Sequence, residues 1–310
     1  MIKILVPDNT PAGEYGISPV APPVIPEVPP IVVIPPPVFR YPVGKGWFIW
    51  QPQATEGGNP VLAAKKAKAA GIKWVTLKIH ERDGTYPFPF SNIDLVPWVT
   101  AFKNEGIEVW GWGYVYGDKP EAEANIAVQR LVQLGLRGYF IDAETEYKGK
   151  HAQASRFIHA FRSKSNLPMG LCSFRYPDVH PTIPWREFLL GCDFHAPQVY
   201  PLGNISATGF GLQLTRSVAQ LRLRAQLPVI PIGPACKHPV RTFPTSILAR
   251  SFPHTGHVYD NGDIDVTWEP TVTQLNDFHN TAVSMNLPGD GWWSWQAALP
   301  QWWDAIAAHR

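Results

Sequence analysis

Cysteine is scarce: Cys172, Cys192 and Cys236 are the only three in 310 residues, and no two stand in a Cys-x-x-Cys spacing. That excludes a disulfide framework and a structural zinc site, and thiols in or beside apolar runs read as buried and free. Charge of either sign is also thin, with 27 Lys and Arg against 25 Asp and Glu, a net +2 and no basic block. Nucleic acid is therefore not expected as a partner. No stretch approaches the roughly 20 unbroken apolar residues of a membrane helix. Residues 1–8 lack the apolar core of a secretory signal, so any export is expected to use another route. There is no Gly-rich phosphate turn and no Walker-type loop, and no cofactor or metal is expected.

Proline and tryptophan, by contrast, are plentiful, at 33 and 13 residues. Twelve of the prolines fall in residues 1–45, interleaved with Val and Ile. Proline fixes φ and removes an amide donor, so this segment is expected to be an extended, largely polyproline II arm. Its apolar run Ile31-Val32-Val33-Ile34 suits an arm docked along another protein, and a free spacer is the alternative. The remaining chain, residues 46–310, reads as one domain.

From Gly46 onward short β-rich runs alternate with helical ones. Strand-like runs fall at 47–50, 72–79, 107–114, 138–144, 169–174, 193–200, 228–232 and 291–296. Helices are expected near 60–70, 93–105, 120–134, 150–164, 184–190, 212–226, 271–285 and 300–308. Eight βα repeats over this length predict an α/β fold, a closed (β/α)8 TIM barrel. An open doubly wound sheet would need a phosphate turn after its first strand, and Gln51-Pro52-Gln53 is not one. The connection 234–269 is long enough to hold structure of its own near the barrel mouth. Within it, Asn261-Gly262 between alternating runs signals a hairpin. Asp260, Asp263 and Asp265 lack the spacing of a calcium loop, and His254 and His257 lack a third metal ligand.

The chain is organised around the stretch 137–146, Arg-Gly-Tyr-Phe-Ile-Asp-Ala-Glu-Thr-Glu. Alternation puts Phe140, Asp142 and Glu144 on one face of a strand. Two neighbouring carboxyls repel, which raises one pKa and keeps a proton available for general acid work. The plainer alternative has Asp142 capping the next helix and Glu144 solvated. Active sites of these barrels lie at the C-terminal strand ends. Those ends bring together Trp50, Gln51, Lys78, His80, Glu81, Trp112, Tyr114, Asp142, Glu144, Ser173, Arg175, Gln198, Tyr200, Trp295 and Gln296. Acids, amides, a phenol and indoles around one mouth suit a carbohydrate cleft.

Two families resemble this pattern. Residues 44–51, then 69–78 with Glu81, and Ile141-Asp142-Ala143-Glu144 are similar to the opening strands of family 25 lysozymes, although the carboxylate of their first strand falls at Gly46. The Asp-x-Glu stretch, Tyr200 and Trp295 also resemble family 18 chitinases, with Phe140 replacing the earlier Asp of that motif. Both resemblances imply cleavage of N-acetylated glycans, peptidoglycan among them. They imply Glu144 as proton donor, with Asp142 orienting the substrate's N-acetyl group for attack on the anomeric carbon. Tyr200 and Gln198 would hold the acetamido group, Trp112 and Trp295 would floor the subsite, and Tyr114, Lys78, Glu81 and Arg175 would line it. The Pro-rich arm beside such a barrel resembles a bacteriophage virion or lysis protein, located in the virion or at the cell wall and bound to other virion proteins through residues 1–45. A virion component that binds glycan without cleaving it is the alternative.

Overall fold

The computed structural model describes residues 39–86 and 94–309. The arm expected over 1–45 lies outside the described residues as far as 38. The barrel unit begins at Phe39, ahead of the composition break. Its first residues are fixed by contacts rather than by composition: Arg40 pairs with Asp193 at 2.6 Å, and Tyr41 packs against the aromatic cluster inside the barrel.

Eight parallel strands close on themselves in the order β1 (Gly44–Ile49), β2 (Trp74–Glu81), β4 (Glu108–Val115), β5 (Tyr139–Ala143), β6 (Met169–Phe174), β7 (Phe194–Gln198), β8 (Ile232–Pro234) and β12 (Gly289–Trp293), with β12 paired back to β1. This is the (β/α)8 barrel that the alternation predicts. A two-residue strand, β3 (Gly84–Thr85), folds back antiparallel onto the end of β2.

The outer helices start and stop where the sequence punctuates them. In α1 (Pro60–Ala69), Asn59 accepts from the amides of Val61 and Leu62, and proline occupies the first turn, where its missing N–H costs nothing. The helices α2 (Val96–Asn104) and α3 (Pro120–Leu134) follow, α3 closing on Gly135 at φ 60°, a left-handed cap that glycine adopts without strain. Next come α4 (His151–Arg162), α5 (Trp185–Leu189) and α6 (Gly209–Arg224). A reciprocal Thr271–Gln274 capping box opens α8 (Val272–Ser284), and α9 (Pro300–Ala308) ends the fold.

The long connection holds a separate three-stranded antiparallel sheet of β9 (His238–Thr242), β10 (His254–Val258) and β11 (Ile264–Trp268), with α7 (Ile247–Ser251) between its first two strands. The Asn261-Gly262 hairpin is present between β10 and β11, while β9 carried too little apolar alternation to be expected. Asp263 pairs with Arg241 at 2.7 Å and Asp265 accepts from the Tyr259 hydroxyl, so these acids serve the hairpin itself.

Strand parity divides the core. Outward side chains such as Trp47, Ile141 and Trp292 pack under the helices. Inward ones, among them Phe48, Trp74, Trp110, Phe140 and Phe194, fill the barrel. Phe140 lies at the centre, its ring 5.1 to 5.7 Å from the other four. Edge-to-face and offset contacts of this kind add about 0.5–1.5 kcal/mol each beyond burial. The barrel below the mouth is thus an aromatic solid.

Candidate active site

Above Phe140, two residues further along β5 at each step, stand Asp142 and then Glu144. Asp142 is buried and Glu144 lies at the opening. Their carboxyls hydrogen-bond to each other. The Gln198 amide, from β7, donates to both, at 2.9 Å to Asp142 Oδ1 and 2.8 Å to Glu144 Oε1. Burial is the main cause that raises both carboxyls above their ordinary range; the charge of Glu144 adds to it at Asp142, and that of Glu146 adds to it at Glu144. Two carboxylates in contact cannot both ionise cheaply, so the pair keeps one proton between them. Their hydrogen bonds to each other and to Gln198 place both at the open mouth, not at a helix cap.

The cleft has two lobes. One, of 240 Å³, is lined by Phe48, Asp142, Glu144, Cys172, Gln198, Tyr200 and Trp293. Burial holds the Tyr200 hydroxyl far above its usual pKa, which keeps it a donor. His238, from the inserted sheet, lies 5.9 Å from its ring and backs this wall. The other lobe, of 280 Å³, runs from Trp50 and Trp293 to Glu81, Tyr114, Tyr116 and Glu146. Trp50 is 38% exposed and parallel to Trp293 at 6.3 Å, a pair of indole faces at the rim. Tyr114 donates to Glu146 at 2.6 Å, and its hydroxyl is raised by burial first and by that acid second.

Lys78 and Glu81 meet through a bulge. The β2–β4 register slips between Lys78 and His80, so Glu81 pairs with Tyr114 and faces inward with Lys78, where strict alternation would turn it out. Lys78 Nζ donates to Glu81 at 2.7 Å, and Tyr116 donates to its other oxygen at 3.1 Å. Burial pushes the Glu81 carboxyl up, but these partners outweigh it and hold it below the usual range. Lys78 also lies 5.1 Å from the Trp112 ring and lowers the cost of charge on Asp142.

Nine of the expected residues therefore converge: Trp50, Asp142, Glu144, Gln198, Tyr200, Trp112, Tyr114, Lys78 and Glu81. Others do not. Trp295 is a correction: β12 ends at Trp293, and the chain turns into a short 3-10 helix. That swings Trp295 out under the helices, 2% exposed, where its Nε1 donates to Glu56 at 3.0 Å. Trp293 occupies the mouth in its place. Arg175 is the second correction. It follows β6 and leans over the Tyr176 ring at 5.0 Å, lining neither lobe. His80 and Ser173 are also outside: His80 Nδ1 donates to the Arg82 carbonyl while Nε2 accepts from Tyr139, and burial lowers its pKa to about 4. Trp293, Tyr116 and Glu146 went unselected because their placement depends on where strands end, which spacing does not reveal.

The first-strand carboxylate of the lysozyme pattern has no room here. A Cβ on Gly46 would come within 2.0 Å of the Trp74 ring, so the position is glycine for packing. Among the described residues no cluster of His, Cys, Asp and Glu could hold a metal ion.

No family model and no curated protein matches the sequence. Solved structures do match. The spore cortex-lytic enzyme SleL of Bacillus cereus superposes with a TM-score of 0.60 at 11% identity, covering 86% of this chain and 74% of that one. A chitinase from Chromobacterium violaceum gives 0.59 at 14% identity, over 87% and 100%. A glycoside hydrolase family 18 N-acetylglucosaminidase from Paenibacillus barengoltzii gives 0.57 at 10% identity, over 87% and 100%. At these identities what is shared is the fold: the chain is a (β/α)8 barrel shaped like those three glycan-active proteins.

Proposed function

We propose that the protein is a glycoside hydrolase acting on N-acetylated glycans. The observation that carries this reading is the adjacent Asp142 and Glu144 carboxyls, bridged by the Gln198 amide at an open, indole-rimmed mouth. Glu144, the outer acid, gives its proton to the glycosidic oxygen. As that bond breaks, the carbonyl oxygen of the substrate's own acetamido group bonds to the anomeric carbon. Asp142 accepts the acetamido N–H and offsets the positive charge that develops, while the Tyr200 hydroxyl donates to the acetamido oxygen. Water then attacks the anomeric carbon, Glu144 takes its proton, and the acetamido group is released. This route needs no carboxylate across the sugar ring, in keeping with substrate-assisted exceptions to the two-carboxylate rule. Trp293, with Trp50 behind it, offers the face on which a pyranose ring stacks.

The proteins with this fold support the substrate class, since they are described as chitinases, an N-acetylglucosaminidase and a cortex-lytic enzyme. A glycan of this class places the protein's work at a cell surface or outside cells. Residues 1–45 would tether it there to other proteins, a virion being one such setting.

A second reading, glycan binding without cleavage, draws on one observation: Phe140 stands where the family 18 pattern carries its earlier acid, and among the described residues the cluster inside the barrel contains no acid. Product analysis with N-acetylglucosamine oligomers and purified sacculi separates the two. Cleavage by the wild type that is lost in Glu144→Gln supports the hydrolase. Binding without products in both proteins overturns it.

A further inference from the structure

Many cations on the barrel surface are paired, among them Lys150 with Asp118, Arg156 with Glu121 and Arg224 with Asp178. Others have no carboxylate within ion-pair distance among the described residues: Arg82, over the Tyr116 ring, and Arg175, Arg216 and Lys148, which flank the end of β6 on Tyr176 and Phe174.

The Arg175 and Arg216 guanidinium carbons both sit over Tyr176, at 5.0 and 4.4 Å from its ring centre. That ring is buried, and its hydroxyl donates to Gln213 at 3.4 Å, so it is a fixed platform. Lys148 Nζ lies 5.3 Å from the Phe174 ring, on which His180 stacks at 3.9 Å. Burial and then the charges of Lys148 and Arg175 lower the His180 pKa, which places both cations in one electrostatic neighbourhood. Burial opposes the charge on Arg175 first, and Arg216 opposes it as well. Like charges held this close without a counter-ion cost stability, and a bound anion relieves that cost.

The position connects this ledge to the cleft. Phe174 pairs in register with Gln198, whose amide holds Asp142 and Glu144. A glycan ring seated against those acids would carry its substituents out over Phe174 and Tyr176. A plain N-acetylglucosamine chain is neutral and has nothing to offer three cations.

We propose that Arg175, Arg216 and Lys148 form an anion-binding ledge that selects N-acetylated glycans bearing carboxylate or phosphate groups, as peptide-substituted or teichoic-acid-bearing wall strands do, over neutral chitin-like chains. Two guanidinium forks on one ring suit paired oxygen acceptors, and Lys148 adds a point charge beside Phe174. The inference rests on the glycan reading above, but its test does not require hydrolysis.

The experiment uses the full chain. Rates are measured on neutral N-acetylglucosamine oligomers, on peptide-bearing wall strands, and on the same strands with their carboxylates amidated. Binding to each is measured by sedimentation in a Glu144→Gln background. Sacculi with and without teichoic acid separate phosphate from carboxylate as the source. The Arg175→Gln/Arg216→Gln double variant should raise KM, and the binding midpoint, for anionic strands about ten-fold, the effect of roughly one lost charge-assisted contact. Neutral oligomers should change less than about two-fold, and added salt should erase the wild-type preference. Arg216→Gln alone, at an exposed site, should show part of the effect and guards against misfolding at Arg175. Equal loss on neutral and anionic substrates, or wild-type indifference to amidation and to teichoic acid, overturns the ledge. A wild type that cleaves nothing yet still prefers anionic strands overturns the hydrolase reading and leaves the ledge supported.

Discussion

The two ends of the barrel each hold a cavity and a buried acid, yet they hold those acids in different ways. At the N-terminal end a cavity of 430 Å³ is lined by Lys45, His279, Asp290 and His309, larger than either lobe of the cleft. Most of its polar groups are spent internally, although Asp290 Oδ1 and His309 Nδ1 are buried without a hydrogen-bond partner. Lys45 donates to three carbonyls at the end of α9, those of Ile306, Ala307 and His309, at 2.7 to 3.1 Å. Asp290 holds His279 at 2.5 Å, and His279 stacks on His309 at 4.0 Å. At the mouth, Asp142 and Glu144 are held by each other and by the Gln198 amide, with an open side. Size does not distinguish a site from a gap, and neither does a lone unpartnered atom; two acids meeting beneath an opening set the mouth apart. The base secures the fold and the mouth strains it.

The largest break in that contrast is Glu144→Gln, which removes the proton donor: kcat should fall about 10³-fold, near 4 kcal/mol, within the range of general acid catalysis, while the melting temperature holds or rises. Assay of released sugars with a thermal melt checks both. Asp290→Ala, at the other end, should do the reverse. Leaving His279 without its buried partner costs about 3 kcal/mol of stability by denaturant titration, with kcat unchanged. Trp293→Ala should raise KM several-fold, about 1 kcal/mol of lost stacking, where Trp295→Phe should leave KM alone.

The finest distinction is in pH. The acid pair is raised in the folded state, so the native protein binds a proton that the unfolded chain has already released. Stability is therefore greatest in mild acid and falls as pH rises through the raised value. Asp142→Asn should flatten that decline. Activity, which needs the same proton, should fade along a basic limb, and Glu146→Gln should move the limb to lower pH by removing a negative neighbour of Glu144. An unmoved limb would mean that Glu146 does not act on the pair.

Much of this was legible in the residues. Proline and asparagine at helix starts, glycine at helix ends and period-two apolar runs were enough for the barrel, because each signal is local. Asp142, Glu144 and Gln198 were placed by parity within single strands. What stayed hidden depended on register between strands. The slip that turns Glu81 inward beside Lys78 and the early end of β12 that exchanges Trp295 for Trp293 are both set by what a neighbouring strand allows. Phe39 to Val43 could not be separated from the Pro-rich segment, since long-range contacts assign them to the barrel: the Arg40–Asp193 ion pair, the Arg137 bond to the Phe39 carbonyl and the packing of Tyr41.

The aromatic plug under Asp142 also governs proton traffic. With Phe140, Trp74, Trp110 and Phe194 packed in the shaft below, the acid pair faces the outside through the mouth. A sugar seated against Trp293 shuts that opening. Whatever proton the pair surrenders during a turnover must then be restored by a molecule already inside, before the occupant departs.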